Sequence, residues 1–382
     1  MVPDEGSPCL QICHVIESAS GGSAAVMADL ALHAVERGHR VDIVYAPGRA
    51  DQTLLERLRA AGCGLRPCRM QRSIGLHDAR DAFVLWSTLR SLGKIDVIHS
   101  HSSKAGALSR LLRPGLTAAQ IYSPHGFYTM TGKAPAYIGT VERLLGRMAD
   151  RIIAVSKSEA DHGVSLGIPR DRLIVIPNGI DPYAPLPRSE ARARMGLCEQ
   201  AFVVGFVGRF VDQKDPASAV AVIDLVDRAH SVTLAMIGDG DLRAAVERTA
   251  ATAAHPVRVL GAMAARPLLS AFDCLLCTSR YEGMAVTFLE ALNCGVPIVT
   301  YSVAGADELV VEPATGFVTT HDPAAAAGAI ETLVMMDGSG RTALAERCRT
   351  TGGHFSAKRM GDSTLALYEQ VIARRTRRRV SL

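Results

Sequence analysis

The sequence predicts an α/β chain built as two doubly wound parallel-sheet domains that face a cleft. Three observations predict it. Short apolar runs rich in β-branched residues alternate with segments of helical period, the alternation stops once at a proline-rich stretch and restarts, and the two alternating halves are nearly equal in length. That pattern describes two Rossmann-like domains, read as 1–180 and 181–355, followed by a helix and basic tail at 356–382 that crosses back to the first domain.

Each element follows from its residues. LQICHVI (10–16), HRVDIVYA (39–46), KIDVIHS (94–100), AQIYS (119–123), DRIIAVS (150–156) and RLIVIP (172–177) read as strands. Helical patterns fall between them at 23–37, 76–92, 103–113 and 136–149. NGIDPYAPLPRSEARA then supplies three prolines and no apolar period, the composition of a linker. After it FVVGFVG (202–208), SVTLAMIG (231–238), VRVLG (257–261), DCLLCTS (273–279) and VPIVTYS (296–302) read as strands. Asp215-Pro216 and Asp322-Pro323 mark helix starts, where Asp caps and Pro suits the first turn. A final helical segment spans about 356–375 with no strand after it.

Composition bounds the function. A chain of 382 residues with 48% hydrophobic and 21% charged residues has ample core for two domains. The formal charge of +4 comes from five arginines, Arg374, Arg375, Arg377, Arg378 and Arg379; without them 37 Lys+Arg stand against 38 Asp+Glu. A near-neutral body excludes a dedicated nucleic-acid binder. The start, MVPDEGSPCLQICHVIES, carries acids where an export signal needs basic residues, and no apolar run is long enough to span a membrane. The expectation is a cytoplasmic protein, at most peripheral at the inner face of the plasma membrane. Its nine cysteines then read as reduced thiols, and Cys274 and Cys277, in an apolar strand with no second pair at zinc spacing, as core residues.

Ligands of doubly wound sheets sit at the carboxyl ends of strands, so the loops there carry the candidates. Gly21-Gly22 separates the first strand from the first helix and serves either a plain turn or a close backbone approach to an anion. The full Gly-x-Gly-x-x-Gly pattern is absent, which counts against a nicotinamide enzyme. Arg209 and Lys214, in GFVGRFVDQKDP after a strand, can clasp a diphosphate. Glu282 precedes a helix and Glu290 sits within it, about two turns further along a similar face; one carboxylate can accept from sugar hydroxyls and the other can hold a ribose diol. His99 and His101 close a strand, and Lys104 starts the following helix, where it either meets an acceptor phosphate or is solvated.

Taken in order, GGSAAVMADLALHAVERGHRVDIV, SHSSKAG, SPHGFY, AVSKSEAD, VIPNGID, GRF with Lys214, IGDG, VLG, Glu282 and Glu290 with seven residues between them, GVPIVT and AGADELV resemble glycosyltransferase family 4, of GT-B architecture. The likeness covers nearly the whole chain and leans toward the bacterial enzymes that build surface polysaccharides. It implies retaining, metal-independent transfer of a sugar from a nucleotide-diphosphate sugar to a hydroxyl of a glycan or lipid-linked acceptor, with no cofactor. The first domain would take the acceptor and the second the donor. Arg209 and Lys214 match the diphosphate clasp, Glu290 the ribose carboxylate, and Glu282 the carboxylate facing the donor sugar. His125 matches the histidine near the transferred sugar and Gly22, beside Gly21, the glycine approaching the donor phosphate. Gly238 and Leu260-Gly261 would border the nucleobase, Gly283, Met284 and Ala285 would line the donor side, and His101 and Lys104 the acceptor side. Ala304, in AGADEL, stands where the family more often has glycine. The tail Arg374–Arg379 is either a solvated end or an anchor for anionic lipid. A nucleotide-sugar 2-epimerase or a non-catalytic partner of the same architecture are the competing classes.

Overall fold

The computed structural model describes residues 8–71 and 75–380, without the side chains of 378–380. The acidic start at 1–7 and the side chains of Arg378 and Arg379 lie outside the described residues. Residues up to Ile180 form one compact unit together with Ala357–Leu382, and Asp181–Ser356 form a second.

In the first unit β1 (Gln11–Ile16), α1 (Gly22–Glu36), β2 (Arg40–Tyr45), α2 (Gln52–Ala60), β3 (Gly64–Pro67), α3 (His77–Ser91), β4 (Val97–His101), α4 (Ser103–Leu111), β5 (Ala119–Ser123), α5 (Ala136–Gly146), β6 (Arg151–Ala154), α6 (Lys157–Ser165) and β7 (Leu173–Val175) follow one another. All strands pair in parallel, in the order β3-β2-β1-β4-β5-β6-β7. The central strands β4 and β5 are buried along their whole length, as expected of a parallel sheet covered on both faces. Val15, Val44, Leu85, Leu89, Ile98 and Leu108 pack together in one core cluster.

The second unit runs α7 (Arg188–Met195), β8 (Phe202–Val207), α8 (Pro216–Asp224), β9 (Val232–Ile237), α9 (Arg243–Ala250), β10 (Val257–Gly261), β11 (Cys274–Cys277), α10 (Val286–Cys294), β12 (Ile298–Tyr301), α11 (Ala306–Leu309), β13 (Gly316–Thr319), α12 (Pro323–Met335) and α13 (Gly338–Gly353). Its sheet is also parallel, in the order β10-β9-β8-β11-β12-β13. The expected α/β class, two doubly wound sheets, is what the chain forms.

The last helix, α14 (Ala357–Val380), belongs to the first unit and packs on α1 and β5. Asp362 on α14 takes hydrogen bonds from Lys358 and from Arg37, just after α1, and lies 2.9 Å from His33 Nε2. A Cβ on Gly361 would stand 2.3 Å from the His33 ring, so a residue without a side chain lets the two helices close.

Several details differ from the sequence reading. Helix α7 begins inside the segment read as linker and runs two residues past it; its face is polar apart from Ala191 and Met195, and it is held by the buried Arg192, which donates to the carbonyls of Cys198, Ala201 and Ala271 and to Asp273. Asp322 caps α12 through the N–H of Ala324 as expected, but Asp215 does not cap α8: it sits at φ 44° and gives its carboxylate to Arg280, 2.8 Å away. All nine cysteines are free, with Cys274 and Cys277 buried in β11.

Candidate active site

The strand orders place the sites. Connections reverse direction between β1 and β4 in the first sheet and between β8 and β11 in the second, and at such a switch point the loops after two neighbouring strands part and leave a crevice. The loops after β8 and β11 carry Arg209, Lys214 and Glu282, and those after β1 and β4 carry Gly21, Gly22 and the approach to Lys104.

In the second unit the two loops are stitched together. Thr278, fully buried after β11, has its hydroxyl 2.8 Å from the Asp215 carbonyl and 3.2 Å from that of Lys214. The Arg280 N–H donates to the Gln213 carbonyl, and the Gln213 amide donates to Tyr281 O. This holds Lys214 so that its Nζ is 2.6 Å from Glu282 Oε1, an ion pair between residues 68 apart in sequence. Burial lowers the ammonium's proton affinity, but the charge and hydrogen bond of Glu282 outweigh it and leave Lys214 above the ordinary lysine value. Lys214 therefore stays cationic. An ammonium has three donors, so two remain for a second anion. Arg209, five positions earlier, is exposed.

Glu290 lies half-buried on α10, but Glu282 does not share its helix face, because α10 begins only at Val286. The expected two-turn relation between the two glutamates is thus replaced by a loop-to-helix one. Gly283, Met284 and Ala285 are buried in that loop, and a Cβ on Gly305 would meet the Gly283 carbonyl at 2.8 Å. Gly238 has φ 156°, and its N–H is taken by the carbonyl of Gly261 at 2.9 Å; a Cβ there would lie 1.9 Å from Gly208 O. Gly238 therefore closes the loops after β8 and β9 against each other, and its N–H is not free for a ligand. Leu260, on β10, is half-buried.

In the first unit Gly21, at φ 78°, precedes α1 and Gly22 is its first residue; both are exposed. The neighbouring strands align histidines. His14 on β1 pairs in register with His99 on β4, and His101, two residues on, points to the same face. His14 Nδ1 lies 2.9 Å from His101 Nε2, and His101 Nδ1 lies 3.0 Å from His125 Nε2 in the loop after β5. His99 meets Tyr368 of α14 at 2.5 Å and Ser123 at 2.8 Å. His101, expected on the acceptor side, is thus fully buried with both nitrogens engaged, one by His14 and one by His125. Ring nitrogens of His14, His99 and His101 lie within 4.8 Å of one another, but metal ligation would have to break hydrogen bonds that His99 and His101 already make.

His125 itself adopts φ 54°, a strained left-handed conformation. The buried carboxylate of Glu159 on α6 accepts from the N–H of Gly126, the next residue, and from that of Val155 at 2.7 Å. Burial raises Glu159 to about 7, against the pull of those two backbone bonds. Sequence reasoning passed over Glu159, Thr278 and His14. The quoted motif AVSKSEAD contained Glu159, yet nothing local showed that its carboxylate closes on a loop 33 residues away. Lys104 is neither solvated nor reaching outward: its side chain is 10% exposed and ion-paired with Asp78. In the same motif a Cβ on Gly106 would stand 2.2 Å from the Tyr122 ring, on which Arg110 stacks at 3.9 Å, so that glycine serves packing.

The fold is that of a two-unit α/β protein with a switch point in each parallel sheet. Residues 20–183 match the family model described as Glycosyltransferase Family 4, and residues 201–335 that of Glycosyl transferases group 1. The chain belongs to glycosyltransferase family 4 and is a glycosyltransferase. It is 31% identical over 303 residues to the D-inositol 3-phosphate glycosyltransferase of Geodermatophilus obscurus, covering 72% of this chain and 66% of that one. It is 27% identical over 263 residues to the UDP-Gal:alpha-D-GlcNAc-diphosphoundecaprenol alpha-1,3-galactosyltransferase of Escherichia coli, covering 64% and 68%. The solved structure of Anabaena HepE with UDP and glucose has the same fold, with a TM-score of 0.81, 20% identity and 94% and 100% of the chains covered. A Rickettsia africae glycosyltransferase superposes with a TM-score of 0.80 at 17% identity, over 96% and 99%. Among the described residues no helix is long and apolar enough to cross a membrane.

Proposed function

We propose that this glycosyltransferase moves a sugar from a nucleoside-diphosphate sugar to a hydroxyl of a lipid-linked glycan, with retention of anomeric configuration and without a metal, in polysaccharide biosynthesis. The observation that carries the donor reading is the loop after β8, which presents the exposed Arg209 and the cationic Lys214 at the second sheet's switch point. Developing charge on a departing diphosphate needs fixed positive groups, and two cations held by stapled loops supply them without reorganisation. Glu282, already anchored through Lys214, keeps its second oxygen for a sugar hydroxyl. Glu290 holds the ribose, and the first unit takes the acceptor. Retention, and the role of His125 at the transferred sugar, follow from the family resemblance. The lipid-linked acceptor is supported by the name of the Escherichia coli relative.

A peripheral, cytoplasmic location at an anionic membrane is part of the proposal. Arg374 and Arg377 are exposed, whereas Arg375 is committed to Asp150 at 2.7 Å and to the carbonyl of Thr117.

Incubation with UDP-, GDP- and ADP-sugars in the presence of EDTA tests the reading. Slow donor hydrolysis supports a transferase, and transfer to a lipid-diphosphate sugar giving the donor's own anomer supports retention. An equilibrated 2-epimer would mean an isomerase, and no turnover or binding of any nucleotide would mean a non-catalytic protein.

A further inference from the structure

Imidazoles joined nitrogen to nitrogen must agree on a direction. A neutral ring has one N–H and one lone pair, so in the series His14, His101, His125 all the protons point one way or all the other. If His125 donated from Nε2, His101 would donate onward and His14 would end with an N–H on Nε2. That nitrogen is buried with no hydrogen-bond partner among the described residues. An unpaired N–H enclosed in protein is the rarer and costlier end of such a chain; an unpaired lone pair is tolerated better. The economical direction therefore starts at His14, which donates from Nδ1 to His101 Nε2, and His101 donates from Nδ1 to His125 Nε2.

The surroundings keep the rings uncharged. His99 stands beside both inner rings, with centroids 4.1 Å from His101 and 5.4 Å from His14, and Tyr368 from α14 and Ser123 from β5 occupy its nitrogens. No carboxylate is hydrogen-bonded to any of the four rings among the described residues. Burial holds His125 down to about 4 and His14 to about 3, and burial together with the neighbouring imidazoles holds His99 and His101 well below the ordinary histidine value.

We propose that His14 and His101 are positioning residues that lock His125 as the neutral tautomer protonated on Nδ1, so that the nitrogen outside the chain is a hydrogen-bond donor. A neutral donor can bond a sugar oxygen without placing a full positive charge beside an anomeric carbon that becomes electron-poor. That consequence rests on the proposed function; the tautomer does not.

Imidazole ¹⁵N spectra of the full chain, with His125 assigned by its His125→Gln variant, read the tautomer directly and need no donor sugar. Wild-type protein should show His125 protonated on Nδ1; protonation on Nε2 would overturn the proposal whatever the variants do. His14→Phe should keep His125 protonated on Nδ1, because the reversed pair would strand an N–H on the buried His101 Nε2 in place of the one on His14 Nε2. In His14→Asp, whose carboxylate only accepts, His101 should donate from Nε2 instead and His125 become protonated on Nε2. The wild-type tautomer in a folded His14→Asp, with His101 neutral in the same spectrum, would overturn the proposal. If His14→Asp does not fold, His14→Phe decides: protonation on Nδ1 supports the relay and protonation on Nε2 refutes it. Donor hydrolysis that fails while the tautomer is as expected counts against the proposed function alone.

Discussion

Lys214 Nζ lies 2.6 Å from Glu282 Oε1, so the cation assigned to the diphosphate and the carboxylate assigned to the sugar hold each other before any substrate arrives. The pair fixes Lys214, through Gly208 against its stem and Thr278 on its backbone, where a diphosphate can use its two remaining donors.

Removing either partner should therefore cost stability unequally. Lys214→Ala leaves Glu282, which is 8% exposed, as an unpaired carboxylate and should destabilise the second unit by about 1–3 kcal/mol, less than a fully enclosed pair because Lys214 keeps some exposure. Glu282→Gln should cost less. Urea denaturation of both single variants and the double variant measures the coupling, and equal stabilities for wild type and Lys214→Ala would contradict a structural role for the pair.

Thr278→Val should loosen the loop after β8 that carries Lys214. The buried hydroxyl serves the Asp215 and Lys214 carbonyls, so about 1 kcal/mol of stability should go, with a fall in turnover. Unaltered turnover in a folded Thr278→Val would show that the loop holds without it.

Glu159 makes a prediction about pH. Its folded-state value, about 7, lies above the ordinary glutamate value of 4.5, so its neutral form is favoured by folding. The stability this contributes is complete below about 4.5 and is lost as pH rises through 7, by about 3 kcal/mol over the window. Glu159→Gln cannot ionise, so the stability difference between wild type and variant should shift against the wild type from pH 4.5 to 8. A flat difference in urea midpoints over that range would rule out the raised value.

The tail calls for a different test from simple removal. Arg375 bonds Asp150 and Thr117 where β6 and β5 begin, the opposite strand ends from His125, so a chain ending at Ala373 should lose stability as well as charge. Arg374→Glu with Arg377→Glu leaves that anchor intact and should weaken binding to anionic vesicles at low salt. Equal binding by the double variant and wild type would remove the basis for a membrane anchor.

The fold was legible where residues repeat a period. The strands that line the switch points, QICHVI, VIHSH and FVVGFV, are apolar or buried at every position but Gln11, and their loops carried the motifs. Strands β3 (GLRP) and β13 (GFVT) were not legible: they are short, half-exposed edge strands with no alternation to read. Helix α7 was hidden because its stability comes from one buried arginine bonding distant carbonyls rather than from an apolar stripe. Within the site, Arg209, Lys214 and Glu282 stood out because charges after strands are conspicuous. The joining of Lys214 to Glu282, of Glu159 to Gly126 and of His14 to His125 was invisible, since each depends on strand register and loop closure rather than on spacing along the chain.

The central claim is that the loop after β8 neutralises a departing nucleoside diphosphate. Its most direct test is steady-state turnover of the active nucleoside-diphosphate sugar by Arg209→Ala in the presence of EDTA. Arg209 is exposed, so folding should be preserved. The account predicts a loss of about 10²–10³ in kcat with a much smaller change in the donor KM, because the contact strengthens as the glycosidic bond breaks. Turnover equal to wild type, or a loss in wild type that magnesium alone restores, would contradict it.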